Sequence, residues 1–208
     1  MTSRIATSSS KPAIDSRLDR WLERLLETPG LTSIRDPAEA RRVHLDQSLA
    51  VVPYVERFEG AVVDVGSGGG APGIPVAAAL PTREVTLLEA NGRKCEFLES
   101  VASEFPNVRV QRGRAEEQEV DRWGVALAKA LASPPVAVEW CLPLVAPGGA
   151  AILLVGPTAD ADVVARVSAQ IGGGEPEPYP GVIVVPKLEP TPPGFPRRPG
   201  AARKRPLG

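Results

Sequence analysis

The residues with the clearest chemical potential form a glycine-rich stretch that follows a short apolar run. Val62–Val65 is apolar apart from Asp64, and the run is short enough to be a buried strand. Glycines follow at positions 66, 68, 69, 70 and 73, and glycine allows a sharp turn and a close approach of the backbone to a ligand. Because ligands bind outside the carboxyl ends of parallel strands, the stretch predicts a strand, a nucleotide-binding loop and a helix.

Two cofactor patterns overlap in this loop. A G-x-G-x-x-G pattern from position 68 fits a dinucleotide fingerprint, whereas D-x-G-x-G-x-G from position 64 fits the acidic-glycine loop of S-adenosylmethionine-dependent methyltransferases. A pyrophosphate needs free backbone N–H groups at the helix start, and Pro72 and Pro75 remove two of them. Asp64 would repel a pyrophosphate but suits the ammonium group of a methionine moiety. The pattern therefore favours S-adenosylmethionine, with a glycine-rich turn that binds no ligand as the plain alternative.

A second acidic residue, Glu89, lies about 20 residues beyond the loop, after a run of strand-forming residues. An acid at the end of the second strand accepts hydrogen bonds from ribose hydroxyls. Since the methyl donor and NAD both contain a ribose, Glu89 supports nucleoside binding without selecting the cofactor. A surface acid after a strand is the alternative.

Hydrophobic periodicity divides the chain into alternating helices and strands. Apolar residues at helical spacing from Ile14 to Leu26 predict a first helix, and Asp36-Pro37 is typical of the start of a second, which carries the single histidine, His44. Strands are predicted at 62–65, 84–88, 108–110, 123–131, 150–155 and 182–185. This alternation indicates an α/β fold, a mostly parallel sheet with helices on both faces.

The predicted organisation is one core with short appendages. We expect a disordered N-terminus at 1–12, a helical segment at 13–58 packed on the core, a core at 59–186 and a basic, Pro-rich tail at 187–208. The tail holds six basic residues and one acid, a charge of +5, whereas the rest of the chain carries −6. An acidic body with a basic tail predicts a polyanionic partner that the tail contacts, and a solvated tail without a partner is the alternative.

Composition argues against several other classes of protein. A hydrophobic content of 43% in 208 residues supports one sizeable core. The chain lacks an apolar run of about 18 residues and its Ser-rich start lacks an apolar h-region, so we expect no membrane span, no signal peptide and a cytoplasmic protein. Cys95 and Cys141 are too few for a disulfide framework and lack metal-ligand spacing, so we expect no metal site.

A set of short motifs is more specific than the glycine pattern alone. These motifs are Asp64–Pro75, Thr86–Glu89, Arg93–Lys94 with Phe97–Leu98, Gly113–Glu117, Pro147–Gly149 and the tail at 190–200. Together they resemble the bacterial small-subunit (16S) ribosomal RNA guanine-N7 methyltransferases, the family first named glucose-inhibited division protein B. The resemblance runs from about position 44 to the C-terminus, and the Pro-Gly-Ile-Pro after the glycines is its most specific part.

The resemblance implies a fold and a set of binding residues. The implied fold is the class I S-adenosylmethionine-dependent methyltransferase fold, Rossmann-like, with a mostly parallel seven-stranded sheet and an N-terminal helical extension. Gly66 and Ala71 would line the methyl donor, Glu89 its ribose, and Ala115 and Glu116 its adenine. The full predicted cofactor-binding set is Asp64, Gly66, Gly68, Gly70, Ala71, Glu89, Ala115, Glu116 and Lys129.

The chain departs from the family pattern at three places. Lys129 replaces the arginine of the family's Ser-Arg-Ala after the fourth strand, Val155 the lysine of its Lys-Gly after the fifth, and Val43 the arginine before the helical histidine. Lysine keeps the positive charge but loses the planar fork of arginine, so contact with phosphate or base at position 129 is expected to be weaker or differently aimed. These departures affect the exact target more than the reaction class.

The motifs that are missing narrow the chemistry. Methylation of an exocyclic amine usually needs an Asn/Asp-Pro-Pro-aromatic loop after the fourth strand, and Ser133–Val136 has neither the amide nor the ring. Methylation of a pyrimidine at C5 needs a nucleophilic cysteine, yet Cys141 lies in an apolar helix pattern and Cys95 in an outer helix. Guanine N7 has a free lone pair and no proton to remove, so in-line positioning against the sulfonium methyl is sufficient. We expect Lys129 and Arg114 to support the transfer by charge, without an acid-base pair.

The expected partner is 16S ribosomal RNA or the small ribosomal subunit, and the chain is expected to act as a monomer. Phe195 would stack on an exposed base, and the prolines would keep the tail extended. The predicted RNA-binding residues are His44, Arg93, Lys94, Phe195, Arg197, Arg198, Arg203 and Lys204. Two alternatives stay open, an RNA-binding module with a degenerate methyltransferase fold and a methyltransferase for a small molecule.

Overall fold

A seven-stranded sheet forms the centre of the protein, with the strand order β3-β2-β1-β4-β5-β7-β6. The structure is a computed structural model and describes residues 15–207, so the predicted disordered start at 1–12 lies outside the described residues. The strands are β1 (Val62–Val65), β2 (Val85–Glu89), β3 (Val108–Arg112), β4 (Trp123–Lys129), β5 (Val145–Leu154), β6 (Glu177–Tyr179) and β7 (Val182–Pro186).

Strands β1 to β5 are parallel to one another, whereas β7 runs antiparallel to both β5 and β6. The strand order changes direction between β1 and β4. Strands β2 and β3 are added on one side of β1, and the chain then returns to add β4 and β5 on its other side. At such a switch point the carboxyl ends of neighbouring strands open a crevice that binds ligands. The structure therefore confirms the predicted α/β fold and defines the edge of the sheet where a site is expected.

Helices cover both faces of the sheet. They are α1 (Ser16–Glu27), α2 (Pro37–Ala40), α3 (Gln47–Leu49), α4 (Val52–Val55), α5 (Gly73–Ala79), α6 (Gly92–Ala102), α7 (Pro134–Cys141), α8 (Ala161–Ala169) and α9 (Ala201–Lys204). A π-helical segment, Arg41–Asp46, joins α2 to α3, and a 3₁₀ turn, Ala115–Glu117, follows β3. The predicted cap of the second helix is present, because Asp36 Oδ1 accepts a hydrogen bond from the Glu39 N–H at 2.7 Å.

Two hydrophobic clusters lie on opposite faces of the sheet. Val62 belongs to the cluster that packs against the N-terminal helices, whereas its neighbour Val63 belongs to the cluster that packs against α7 and α8. Successive side chains of a strand point to opposite faces, so a strand covered on both faces must be apolar throughout. This explains the near-continuous apolar run of β1.

Two strands differ from the sequence prediction. Strand β5 starts at Val145 instead of position 150, and its register shifts against β4 between the pairs Trp123–Val145 and Val125–Ala150. The Pro-Gly-Gly at 147–149 therefore lies in an irregular part of the strand, not in a turn before it. Strand β6 was not predicted because it has three residues, one of them Pro178, and proline lacks the N–H that a ladder needs.

The tail also differs from the prediction, since it is not an extended arm. It ends in α9, Ala202 is buried in the core cluster, and Phe195 is partly buried against the same cluster. None of the helices within residues 15–207 is both long and apolar enough to cross a membrane.

Candidate active site

Two adjoining cavities open at the carboxyl ends of the central strands. The first, of about 310 Å³, lies beside the ends of β1, β2, β3 and β4. The second, of about 260 Å³, lies between the glycine loop and the N-terminal helices. Gly66, Lys94 and Ala130 line both cavities. The first is called the nucleoside cavity below, and the second is called the loop cavity.

Asp64 holds the glycine loop in shape from beneath. Its Oδ2 accepts a hydrogen bond from the Gly73 N–H at 3.0 Å, and its carbonyl accepts one from the Ser67 hydroxyl at 2.7 Å. The side chain is 1% exposed and contributes to the wall of neither cavity. Burial raises the pKa of this carboxyl to about 7, although the Gly73 N–H opposes the shift. The expectation that Asp64 faces a methionine ammonium group is therefore corrected, because the side chain is buried beneath the loop and lines neither cavity.

The loop is clamped from above by helix α1. The Trp21 indole N–H donates to the Gly69 carbonyl at 2.9 Å. A Cβ atom at Gly69 would lie 2.3 Å from Leu25 Cδ1, and one at Gly70 would lie 3.2 Å from Trp21 Nε1. Glycine is needed at these positions because side chains of α1 contact the backbone of the loop directly. Gly70 is buried in this contact and lies outside both cavity walls, whereas Gly68 and Ala71 line the loop cavity.

Glu89 stands at the end of β2 on the wall of the nucleoside cavity. Its Oε2 accepts from the Gly68 N–H at 2.9 Å and its Oε1 from the Asn91 N–H at 2.8 Å. Each carboxylate oxygen has two lone pairs, so both oxygens can accept a further hydrogen bond from a ribose hydroxyl. The two backbone bonds fix the carboxylate in place before a nucleoside binds.

The turn after β3 forms the opposite part of the nucleoside cavity. Ala115 is 7% exposed, and Glu116 Oε1 accepts from the Gly200 N–H at 3.1 Å. Arg114 lies at the rim with an exposed side chain. The predicted adenine residues thus face the predicted ribose residue across one cavity, and Arg114 is free to meet a ligand that arrives from solvent.

Lys129, at the end of β4, reaches across to the N-terminal helices. Its Nζ donates to the carbonyl of Val43 in the π-helical segment. The neighbouring carbonyls have other donors, since the Gln47 N–H bonds to Arg42 and the Ser48 hydroxyl bonds to His44. Wide π turns are frequent at functional sites, and here the π-helical segment presents the Val43 carbonyl to Lys129.

The loop cavity thereby contains a half-buried cation beside an imidazole. Burial lowers the pKa of Lys129 to about 8, and nearby Asp64 partly opposes the shift. Burial also lowers the pKa of His44, as does the charge of Lys129, and His44 Nε2 lies 3.0 Å from the Thr32 hydroxyl. At pH 7 the cavity therefore holds a protonated lysine and a neutral histidine. The structure brings the two together although they are 85 positions apart in the sequence.

Ala130 follows Lys129 in a left-handed conformation, with φ of +50°. A non-glycine residue in this region is uncommon, and such strain clusters at binding and catalytic sites. Because Ala130 lines both cavities, the strained turn lies where they meet. Sequence reasoning missed this residue, since alanine gives no signal for positive φ.

The C-terminal tail supplies part of the nucleoside cavity. Gly200 and Arg203 line it, and Arg203 Nη2 donates to the Leu131 carbonyl at 3.2 Å. Arg197 is bound to the buried Glu139 by contacts of 2.5 and 2.6 Å. The expected RNA contacts of Arg197 and Phe195 are corrected accordingly, because one side chain is in a salt bridge and the other packs on the core.

Four of the predicted RNA-binding residues keep exposed side chains. They are Arg93, Arg198, Arg203 and Lys204, and Arg203 also lines the nucleoside cavity. Lys94 is half-buried and lines both cavities, so it is placed to meet the cofactor. Within residues 15–207, no group of three or more His, Cys, Asp or Glu side chains is arranged to hold a metal ion.

The residues of the nucleoside cavity fit S-adenosylmethionine. Glu89 offers lone pairs to a ribose. Trp140 lines the same cavity and offers an aromatic surface to a purine. A Cβ atom added at Gly66, whose φ is +69°, would lie 2.4 Å from Leu131 Cδ1. A larger residue at this position therefore requires Leu131 to move.

Comparison with known proteins shows the family of this chain. The model of the family described as rRNA small subunit methyltransferase G (GidB) matches residues 16–177. The chain is 35% identical to a Ribosomal RNA small subunit methyltransferase G from Chloroflexus aggregans, with 92% of this chain and 90% of that protein covered. It is 32% identical to one from Acetivibrio thermocellus, with 91% and 84% covered.

Solved structures show the same fold. A SAM-dependent O-methyltransferase from Thermotoga maritima superposes with a TM-score of 0.58 at 14% identity, covering 83% of this chain and 72% of that one. A 16S rRNA N2 methyltransferase from T. thermophilus, in complex with AdoMet and guanosine, gives a TM-score of 0.55 at 18% identity, covering 80% and 43%. The resemblance found in the sequence is confirmed: the chain belongs to the rRNA small subunit methyltransferase G family.

Proposed function

We propose that this protein transfers a methyl group from S-adenosylmethionine to guanine N7 of 16S ribosomal RNA. The observation that carries the proposal is the pair of adjoining cavities at the carboxyl ends of β1 to β4, in a chain of this family. One cavity offers a fixed acid for a ribose, and the other offers a half-buried cation. Together they suit a ligand with a nucleoside at one end and an amino acid at the other.

The residues divide between the two ends of the donor, which supplies a methyl group already activated on a sulfonium. Glu89 accepts the ribose hydroxyls, and Ala115 and Glu116 border the adenine. Gly66 and Gly68 border the methionine end, where Lys129 provides a positive charge for the carboxylate. Lys94 borders both ends. The work of the chain is to hold the donor so that its methyl group faces the target base.

No residue needs to remove a proton in this reaction. Guanine N7 carries a lone pair in the plane of the ring, and alignment with the sulfonium methyl provides the rate enhancement. A cation beside N7 would oppose the positive charge that develops on the base, so Lys129 and Arg114 act on carboxylate or phosphate and not on N7. Burial raises the pKa of both Cys95 and Cys141, which argues against the thiolate that C5 methylation would require.

The N-terminal helical segment belongs to the catalytic unit in this proposal. Trp21 and Leu25 fix the glycine loop, and Val43 and His44 line the loop cavity. The proposed acting form is a monomer, and a ribosomal substrate supports a cytoplasmic location. Exposed Arg93, Arg198 and Lys204 are available to phosphates of the RNA.

The experiment that tests this function is a map of methylated bases in ribosomal RNA from cells with and without the gene. We expect one N7-methylguanosine of 16S ribosomal RNA to be absent without the gene and restored by the wild-type chain. Restoration by Lys129→Ala should be incomplete. An unchanged methylation map would contradict the proposal and favour the RNA-binding or small-molecule alternatives.

A further inference from the structure

One wall of the nucleoside cavity comes from outside the sheet. Gly200 and Arg203 border it from the C-terminal tail, and Trp140 borders it from α7. In sequence terms this wall joins residues 60 positions apart. The tail therefore closes a side of the cavity that the strand ends leave open.

Two successive side chains of α7 fasten the tail. Glu139, 2% exposed, binds the guanidinium of Arg197, and Trp140 lies under the guanidinium of Arg203, whose Cζ is 5.1 Å from the ring centroid. Ala202 is buried between these contacts, with 2% exposure. Arg203 is thus held at the cavity by stacking on an aromatic face and by its bond to the Leu131 carbonyl.

The guanidinium of Arg203 has a planar face that suits a purine. Arg203 lines the cavity, and a guanidinium stacks on aromatic rings. The ring of Trp140 supports this guanidinium from the side of α7 and lines the same cavity. The two side chains therefore offer a flat surface to adenine.

We propose that Trp140 and Arg203 form an adenine-binding wall, so that the C-terminal tail is part of the methyl-donor site. This inference rests on the proposed function, because it takes S-adenosylmethionine as the ligand of the nucleoside cavity. It assigns to Arg203 a contact with the cofactor in place of the RNA contact that the sequence suggested. It also makes donor affinity depend on the tail in the absence of RNA.

The matched comparison is between Arg203 and Arg205, two exposed arginines of the same segment. Arg203 lines the cavity and Arg205 does not. Replacement of either by alanine removes one positive charge, so a purely electrostatic role in RNA binding would affect both variants equally. Trp140→Leu provides a second variant, since it keeps an apolar side chain and removes the aromatic face beneath Arg203.

The experiment is calorimetric titration of the full-length, RNA-free protein with S-adenosylmethionine. We expect Arg203→Ala and Trp140→Leu each to raise Kd about 5- to 10-fold, and Arg205→Ala to change it less than about twofold. The chain has three tryptophans, and donor binding should change the fluorescence of the wild type more than that of Trp140→Leu. If Arg203→Ala does not fold, Arg203→Lys carries the same test, because lysine keeps the charge without the planar face.

The outcomes separate this inference from the proposed function. A wild-type protein that binds no S-adenosylmethionine would contradict the proposed function. A wild-type protein that binds it, with Arg203→Ala and Trp140→Leu binding equally well, would overturn the adenine-binding wall and leave the proposed function standing. Equal loss of affinity in Arg203→Ala and Arg205→Ala would also overturn it, because charge alone would then explain the effect.

Discussion

The glycine loop and the C-terminal tail both border the nucleoside cavity, but they are held in opposite ways. The loop is closed by a local contact between Asp64 and Gly73, nine positions apart, to which the Trp21 contact from α1 is added. The tail is held by partners far away, such as Arg197 and Glu139, 58 positions apart. One part of a ligand site can therefore be recognised in the sequence as a motif, while another part of the same cavity cannot.

A second anchor holds the start of the tail. Lys187 is 1% exposed, and its Nζ donates to the Ile171 carbonyl at 2.9 Å and to the Thr191 hydroxyl at 2.6 Å. The N–H and hydroxyl of Thr191 in turn bond to the carboxylate of Asp121. A lysine counted with the basic tail in the sequence is thus a buried structural group, and the charge that the tail offers to RNA is smaller than its composition suggests.

The largest expected effect concerns the loop. Gly66→Val places a β-branched residue at a positive φ in the wall that both cavities share, with its Cβ 2.4 Å from Leu131 Cδ1. We expect affinity for S-adenosylmethionine to fall about 1000-fold, roughly 4 kcal/mol, in a calorimetric titration. Gly148→Val is the matched control, because Gly148 has φ of +89° but no atoms within 4 Å of a Cβ. Equal loss in both variants would show that backbone strain and not the cavity is responsible.

The next effect concerns the tail and appears in stability. Arg197→Met leaves the carboxylate of Glu139 buried without its partner, and loss of one partner from a buried pair is strongly destabilising. Since the Arg197 side chain is 23% exposed, we expect a loss of about 2–3 kcal/mol in the free energy of unfolding, measured with denaturant. Arg198→Met, at the exposed neighbour, should change it by less than about 0.5 kcal/mol. A small effect at Arg197 would mean that the tail is not fastened by this pair.

Lys129 links the strand ends to the N-terminal helices, and its removal tests the loop cavity. Lys129→Ala should lower turnover about 10- to 100-fold, which corresponds to about 1.4–2.7 kcal/mol in the activation free energy. The reason is that the carboxylate of the methyl donor loses its counter-charge. Methyl transfer to small-subunit RNA, followed with labelled donor, measures this. Exposed Arg109, on the edge strand β3, gives the control Arg109→Ala, which should keep near wild-type turnover.

The same residue predicts a pH dependence. The pKa of Lys129 is lowered to about 8, so its positive charge is complete well below pH 8 and is lost as pH rises through that value. We expect KM for the donor to rise above pH 8 in the wild type. Lys129→Arg should remove this rise, because the guanidinium stays protonated. A rise that persists in Lys129→Arg would assign the titration to another group.

The smallest expected effect concerns RNA binding by the exposed part of the tail. Truncation after position 189 would also remove the anchors at Thr191 and Arg197, so point substitutions are the cleaner test. Arg198→Ala and Lys204→Ala should each lower the slope of log affinity against log salt by about 0.7 for a single-stranded site. The donor affinity of both variants should stay at the wild-type value. An unchanged slope would mean that these side chains are solvated and meet no phosphate.

The sequence predicted those parts of the site that depend on local chemistry. Glycines after an apolar run predicted β1 and its loop, and the acid after β2 predicted the position of Glu89 in the cavity wall. It could not predict the contact between Lys129 and Val43, because helix and strand meet only in the folded chain. Nor could it predict that Phe195 packs on the core, since an aromatic residue among arginines is equally typical of an RNA-binding segment.

We propose that the methyl donor and a guanine meet in this site, and that the methyl group passes to guanine N7 without a general base. The most direct measurement incubates the purified protein with methyl-labelled S-adenosylmethionine and small-subunit ribosomal RNA and then cleaves the RNA at N7-methylguanosine. We expect label at one guanine, with cleavage at that nucleotide and a much weaker signal with Gly66→Val. Label on an exocyclic amine, on a pyrimidine or on no RNA nucleotide would contradict the account.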